Sequence, residues 1–444
     1  MISLRPYQDQ AITGLRDVFS QGLKSSILCV PTGGGKTVIF TTIARSAIKN
    51  GNRILIVCDR KELINQAKKN LVKLGLFPTI IAPGYKFILN NCYLGSVDTL
   101  RNRDLPEVEV VIIDEAHKQS FDKLLHRYKE SSQEPLIIGA TATPIRTGKQ
   151  TALSDYYAAI VEPVSIADLL NDGFLVNCRT FAAKVDLSSV KITAGEYNNA
   201  ALYKEFNKAV LYDGLVEKFE KYAKDKKTLI FNVNVEHSIK TTEALTAHGY
   251  SCKHLDGTTP DKERSEILEG FARGDFQILS NCSVLTTGYD EPSIEAIIVN
   301  RATKSLPLWL QMIGRGSRPH PGKTDFTVID MGANCYAHGL YDDGRTWSIY
   351  KKPPGSGVAP VKLCEACEAM NRASARFCSE CKEPFKIAEK KLVKAEFVEV
   401  KSKRGGSAAI NLHTATKEEL KQYAEAKGYK NSWVYIQLKL REKH

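Results

Sequence analysis

The chain has 444 residues, 43% of them hydrophobic and 25% charged, with 62 Lys and Arg against 50 Asp and Glu. About 150 residues per domain suggests about three domains, and the composition excludes a disordered or fibrous chain. No apolar run approaches the ~18 residues of a membrane helix, and Met1-Ile2-Ser3-Leu4-Arg5-Pro6 lacks an export pattern, so a cytoplasmic protein off the membrane is expected.

The net charge of +12 is uneven. Lys382–His444 hold 15 Lys and Arg against 8 Asp and Glu, leaving residues 1–381 at only +5. Of 11 cysteines, seven are scattered singly and four cluster at 364–381. That pattern argues against a disulfide framework and for a reducing compartment.

Four apolar runs open the chain: Ile27–Val30, Ile54–Cys58, Val108–Ile113 and Pro135–Ala140. Thr228–Phe231, Phe276–Ser280, Ala296–Val299 and Phe326–Asp330 form a second series. They are almost continuously hydrophobic, as strands covered on both faces of a parallel sheet must be. Helical patterns such as Lys61–Leu74 and Pro260–Ala272 lie between them, the second with Thr259 as expected N-cap and Gly274 beyond its end. Two α/β units are expected. Their join lies within 155–205, and Lys351–Gly357 reads as a linker.

Directly after the first run comes Pro31-Thr32-Gly33-Gly34-Gly35-Lys36-Thr37. Successive glycines let backbone N–H groups close around a polyphosphate, Lys36 offers a charge to its phosphates, and Thr37 offers a hydroxyl to Mg²⁺. The strict pattern wants Gly where Val30 stands, so a turn of purely structural use is the competing reading. Asp114-Glu115-Ala116-His117 closes the third run, at a sheet's carboxyl edge, where ligands bind. There Asp114 can hold Mg²⁺ and Glu115 can deprotonate an attacking water.

Together these motifs resemble a superfamily 2 helicase or translocase over roughly residues 3–332. The resemblance implies two tandem RecA-like parallel-sheet domains with ATP between them. It implies that Arg5-Pro6-Tyr7-Gln8 reads the adenine, with Arg5 and Gln8 at the nucleotide. Val57-Cys58-Asp59-Arg60 and Gly95–Leu100 resemble strand-gripping motifs, implying contacts from Arg60, Ser96 and Thr99. Ala140-Thr141-Ala142-Thr143-Pro144 resembles the motif linking hydrolysis to the strand, through Thr141, Thr143 and His117. Leu229–Asn232, Asp256-Gly257 and Thr286-Thr287-Gly288-Tyr289-Asp290 match the second-domain series. They imply strand or coupling roles for Asn232, Thr286 and Thr287, and nucleotide contacts for Gly288 and Asp290. Gln311–Arg318 resembles the arginine-finger helix, with Gln311, Arg315 and Arg318 at the phosphates and both arginines on one helix face.

Asp114–His117 alone resembles DEAH-type RNA helicases, which normally carry Ser-Ala-Thr where this chain has Thr141-Ala142-Thr143. Gly314–Lys323 and Ile329-Asp330 are similar to RadD-type bacterial DNA helicases and their phage relatives, a group with a C-terminal zinc site. The expected layout is an ATP-binding domain at 1–165, a connecting segment at 166–204 and a C-terminal helicase domain at 205–350. A linker at 351–360, a zinc segment at 361–386 and a basic tail at 387–444 complete it.

Cys364-x₂-Cys367-x₁₀-Cys378-x₂-Cys381 carries two knuckles able to close one tetrahedral Zn²⁺; two redox pairs are the alternative. The tail interleaves basic residues with Phe385, Phe397, Tyr423, Tyr429, Trp433 and Tyr435. It either grips DNA or packs a small helical hairpin, with Lys417–Ala426 as one helix capped by Thr416. His338 is expected to pack rather than to bind a ligand. The expected activity is ATP- and Mg²⁺-dependent movement on single-stranded or branched DNA, in repair, recombination or replication. An RNA helicase and a nucleotide-switched binding module are the alternatives.

Overall fold

The apolar runs form strands in two separate parallel sheets. A computed structural model describes residues 4–59, 61–146, 150–183, 185, 187–193, 195–286, 288–351, 359–385, 415–426, 433–435 and 438–439. Arg60, Thr287, the linker core 352–358, Phe397, Gly428 and Tyr429 lie outside the described residues.

The first sheet comprises β1 (Ser25–Cys29), β2 (Ile54–Cys58), β3 (Thr79–Ile81), β4 (Cys92–Ser96), β5 (Val110–Asp114), β6 (Leu136–Thr141) and β7 (Ala159–Val161). Its strand order is β3-β4-β2-β5-β6-β1-β7, with every pairing parallel. Both faces are covered: Ile54, Ile56 and Cys58 enter one core layer, Leu55 and Val57 the other. That is why these runs do not alternate with polar residues.

The chain then forms β8 (Asn177–Ala182), a hairpin of β9 (Ile192–Thr193) and β10 (Glu196–Tyr197), and β11 (Thr228–Asn232). It continues through β12 (Cys252–Leu255), β13 (Ile278–Asn281), β14 (Ala296–Asn300) and β15 (Asp325–Asp330). The second sheet runs β12-β13-β11-β14-β15-β8, again all parallel. Both domains are thus RecA-like α/β units.

Two boundaries differ from expectation. Segment 166–204 is not merely a connector, because β8 pairs with β15 along six residues and closes the second sheet's edge. Residues 347–349 do not all stay with the second domain: Trp347 packs against both cores. Ile349 is buried in the first domain's core, and its carbonyl accepts a hydrogen bond from Ser154 N. Burying this side chain offsets the cost of carrying the chain back across. Within the second domain, helix Asp261–Arg273 is capped by Pro260 and not by Thr259, whose hydroxyl instead accepts from Asp256 N at 3.1 Å. Gly274 ends that helix in the left-handed region, at φ 85°, as expected.

β16 (Val361–Leu363) and β17 (Met370–Arg372) form a small antiparallel ribbon around the four cysteines. The ribbon docks on the second domain. Phe181 bridges Ala369, Glu368 binds Lys218 and Tyr222 at 2.9 and 2.7 Å, and Arg179 binds Glu380 at 2.7 Å.

Residues up to Phe385 form one compact unit and those from Lys386 another. In the latter, helix Lys417–Ala426 is capped reciprocally: Thr416 Oγ1 accepts from Glu419 N, and Glu419 accepts from Thr416 N. Tyr423 stacks on Trp433, and Leu420, Ala424 and Val434 are buried around them. These aromatics pack a helical core; Tyr435 is exposed.

Candidate active site

The tight loop after β1 needs backbone conformations that side chains resist. Gly33 and Gly35 have φ of 85° and 77°, and a Cβ on Gly35 would lie 2.5 Å from Gln8 Nε2. Helix Lys36–Lys49 starts immediately, so its free N–H groups and positive end face the loop. Thr32, Gly33, Gly35, Lys36 and Thr37 line a cavity of about 390 Å³ together with Asp114, Glu115, Gly288, Asp290, Arg315 and Arg318. Eleven of the expected residues thereby meet from both domains, in a space suited to a nucleotide. Helix Lys61–Lys73 adds Asn70 and Lys73, which carry no motif and were not expected.

The carboxylates are set apart by their surroundings. Burial, then the neighbouring Glu115, pushes Asp114 up to about 6. A bound cation would draw it back, and the Thr37 hydroxyl with the Asp114 carboxylate is an oxygen donor set that suits Mg²⁺. Burial opposes ionisation of Glu115, but Lys36, His117, Lys118 and Arg315 outweigh it and hold this carboxyl below its usual range. It stays ionised at pH 7. Glu115 also sits at φ 54°, strained for a non-glycine residue, while its N–H donates to Asp114 Oδ1 at 3.0 Å.

Behind these carboxylates, His117 Nδ1 lies 2.8 Å from Thr141 Oγ1, which accepts from Thr143 N at 3.0 Å. Burial pushes His117 down to about 4, so it is neutral at pH 7. The expected link between the two motifs is therefore a direct contact. Arg146, whose importance the sequence did not signal, fixes this loop. Its guanidinium donates to the carbonyls of His117 and Lys118 at 2.8 and 3.0 Å and pairs with Asp122 at 2.7 Å.

From the second domain, Gln311 Nε2 donates to Glu115 Oε2 at 3.3 Å. Arg315 and Arg318 enter the cavity, but not from one helix face. Helix Leu306–Ile313 ends at Gly314, and both arginines lie on the turn beyond it. A Cβ on Gly314 would lie 2.8 Å from Thr32, so the turn passes hard against the phosphate loop. Arg315 donates to Thr286 O and Tyr289 O at 2.7 and 2.6 Å, and Arg318 pairs with Asp290. Burial lowers both guanidinium pKa values to about 10, still charged at pH 7.

Several expected residues sit elsewhere. Gln8 and Arg5 border the phosphate loop rather than the cavity: Gln8 Oε1 accepts from Arg5 N, Tyr7 OH donates to Gly34 O, and Arg5 lies 4.3 Å over Phe174. Gly34 is packed against Val30 rather than lining the cavity. Asn232 is fully buried. It donates to Ser280 Oγ and accepts from Thr241 and Asn300, so a strand cannot reach it. His338 packs, as expected, 2.8 Å from Thr303 O. Ser96 and Thr99 line a separate groove of about 570 Å³ on the first domain.

The four cysteine sulfurs lie within 4.8 Å of one another, with Cys364–Cys381 and Cys367–Cys378 both at 3.6 Å. A disulfide needs ~2.05 Å, whereas tetrahedral Zn–S bonds of ~2.3 Å put sulfurs about 3.8 Å apart. The arrangement fits one zinc ion held by four thiolates. Asn371 Nδ2 donates to Cys378 Sγ at 3.5 Å, a supporting contact of the kind that orients a ligand.

Two domain families match the chain: "Type III restriction enzyme, res subunit" over residues 1–146 and "Helicase conserved C-terminal domain" over 208–320. A 51.5 kDa protein of a Lactococcus phage is 30% identical over 371 residues, covering 81% of this chain and 78% of its own. A protein of Saccharomyces cerevisiae named as the ATP-dependent helicase IRC3 is 35% identical, covering 74% of this chain and 51% of its own length. The DNA-bound Type ISP restriction-modification enzyme LlaBIII shares the fold at a TM-score of 0.56 and 17% identity, over 74% of this chain and 28% of that one. The chain belongs to the superfamily 2 helicases, the ATP-hydrolysing class whose engine is two such domains. Within it the chain is of the restriction-enzyme and IRC3 type, and it spans about half the length of IRC3. No helix among the described residues is long and apolar enough to cross a membrane.

Proposed function

We propose that this protein is an ATP-driven DNA translocase or helicase in which hydrolysis between the domains moves a bound strand. One observation carries the reading: Arg315 is anchored on the carbonyls of Thr286 and Tyr289. A phosphate that draws Arg315 inward must also pull on segment 286–290, the stretch expected to touch the strand. When bound, ATP supplies the transferable phosphoryl group and Mg²⁺ the countercharge for it. Lys36 and the loop N–H groups would hold the phosphates, Thr37 and Asp114 would hold the metal, Glu115 would take the proton of the attacking water, and Arg315 and Arg318 would stabilise the developing charge.

DNA is favoured because LlaBIII is described bound to DNA and the first domain matches a restriction-enzyme family. Single-stranded or branched DNA is the expected form, with a role in repair, recombination or replication. The cysteine cluster and the stretch Gly314–Lys323 favour a place among RadD-type enzymes, and a reducing compartment suits a chain whose 11 cysteines are all free. ATPase stimulation by single-stranded, duplex, forked and four-way DNA and by RNA tests the reading. At least tenfold stimulation by forked or single-stranded DNA is expected. Stimulation by RNA alone would make it an RNA helicase, and no stimulation by any of them would reject a motor.

A further inference from the structure

We propose that the loop Pro83–Asn90 of the first domain is an apolar wedge that inserts Ile88 and Leu89 between base steps of DNA where the strands part. The inference rests on the DNA reading above. Ile88 and Leu89 are 65% and 85% exposed, and Phe77 beside them 71%. Such side chains ordinarily fold inward.

This loop is held open. Phe87 stacks on buried Tyr93 at 5.7 Å and 6°, Asn90 N donates to Tyr93 OH at 3.0 Å, and Asn90 Nδ2 donates to Phe77 O at 2.8 Å. The apolar tip therefore stands on a built support.

What it faces is indicated by the adjoining groove. Tyr85, at the start of the loop, lines that groove with Ser96, Thr99 and Arg103. Thr99 is more than nine-tenths buried, yet its hydroxyl has no hydrogen-bond partner among the described residues. An orphaned donor is costly unless a ligand supplies an acceptor, and a phosphate oxygen does so.

Charge agrees. The groove's carboxylates are already paired, Asp59 with Lys118 at 2.5 Å and Asp98 with Arg101 at 2.9 Å. Between Glu62 and Asp98 the chain carries Lys68, Lys69 and Lys86, besides Lys73 at the nucleotide cavity, and no acidic residue. A polyanion is attracted to this surface, whereas an apolar protein partner gains nothing from its charge. A backbone seated at Thr99 brings bases to the loop, and Ile and Leu are side chains that proteins insert between base steps.

The test is 2-aminopurine emission from the first base pair of a forked duplex, bound by the full-length chain and followed in parallel by anisotropy. Wild type is expected to raise emission at least twofold as it unstacks the probe. The double variant Ile88→Ser/Leu89→Ser should lose that rise, and Ile88→Phe/Leu89→Phe should restore it. Because both side chains are exposed, an unchanged melting temperature checks the fold. An equal rise in the serine variant overturns the wedge and leaves the patch to a protein partner. A fork that binds and stimulates ATPase without any emission change overturns the wedge alone; a fork that neither binds nor stimulates removes the DNA reading with it.

Discussion

Gln311 and Glu115, from opposite domains and 196 residues apart, meet at 3.3 Å through an amide–carboxylate hydrogen bond. On the proposed reading, the base that activates water is thus oriented by the other domain, which ties hydrolysis to cleft geometry. Glu115→Gln removes the proton acceptor but keeps shape. It is expected to lower kcat at least ~10²-fold, the scale of a general base, while nucleotide binding is retained. Gln311→Ala should cost about tenfold, because the base survives but loses its orientation. Phosphate release measured beside fluorescent-nucleotide binding checks both.

Arg315 satisfies two carbonyls with its fork, and its charge faces the phosphate loop. Arg315→Lys keeps a charge but cannot bond Thr286 O and Tyr289 O together from one planar group. Both Arg315→Lys and Arg315→Ala are expected to lower turnover by ~10³-fold. Equal turnover in Arg315→Lys and wild type would place the function in charge alone.

One zinc per chain is expected by elemental analysis of the purified protein, and Cys378→Ser should lose it. A segment this small gains most of its order from the metal. Chelation should raise hydrogen exchange across 361–385 and along β8, where Phe181 and Arg179 hold the ribbon, while β2 and β5 stay protected.

Buried His237 lies between two donors, Val233 N at 3.4 Å and Asn300 Nδ2 at 3.2 Å. A neutral ring accepts at one nitrogen and keeps its proton on the other, whereas a protonated ring could accept at neither. Burial, then Lys240, lowers its pKa from 6.5 to about 4. The unfolded chain therefore takes up a proton that the folded one refuses. The stability from the neutral ring is complete above pH 6.5, falls as pH drops below it and is gone near pH 4. It amounts to roughly 3 kcal/mol. His237→Gln should flatten the acid limb of urea-melt stability by that amount.

Much of the site could be read along the chain because its parts are local. A glycine run after an apolar strand, and carboxylates at the end of another, place Lys36, Thr37, Asp114 and Glu115 within a few residues of their supports. Other features had no such mark. The short strand Cys252–Leu255 has a mixed burial pattern at the sheet's edge, so no apolar run announces it. Arg146 is one arginine among many until its fork is seen on His117 O and Lys118 O. Asn232 matches a strand-contacting motif, yet its strand buries it under four polar neighbours.

Backbone chemistry over a few residues specified two strand-and-loop engines and a four-thiolate cluster, because glycine dihedrals, strand burial and Cys-x₂-Cys spacing are short-range constraints. Packing specified the rest. It stopped the helix at Gly314 so that both arginines project from a turn, and set Gln311 against Glu115. It also sent Ile349 back to the first domain and held Ile88 and Leu89 in water. Contacts between residues far apart in the chain depend on how whole domains fill space against one another, and no local pattern encodes that distance.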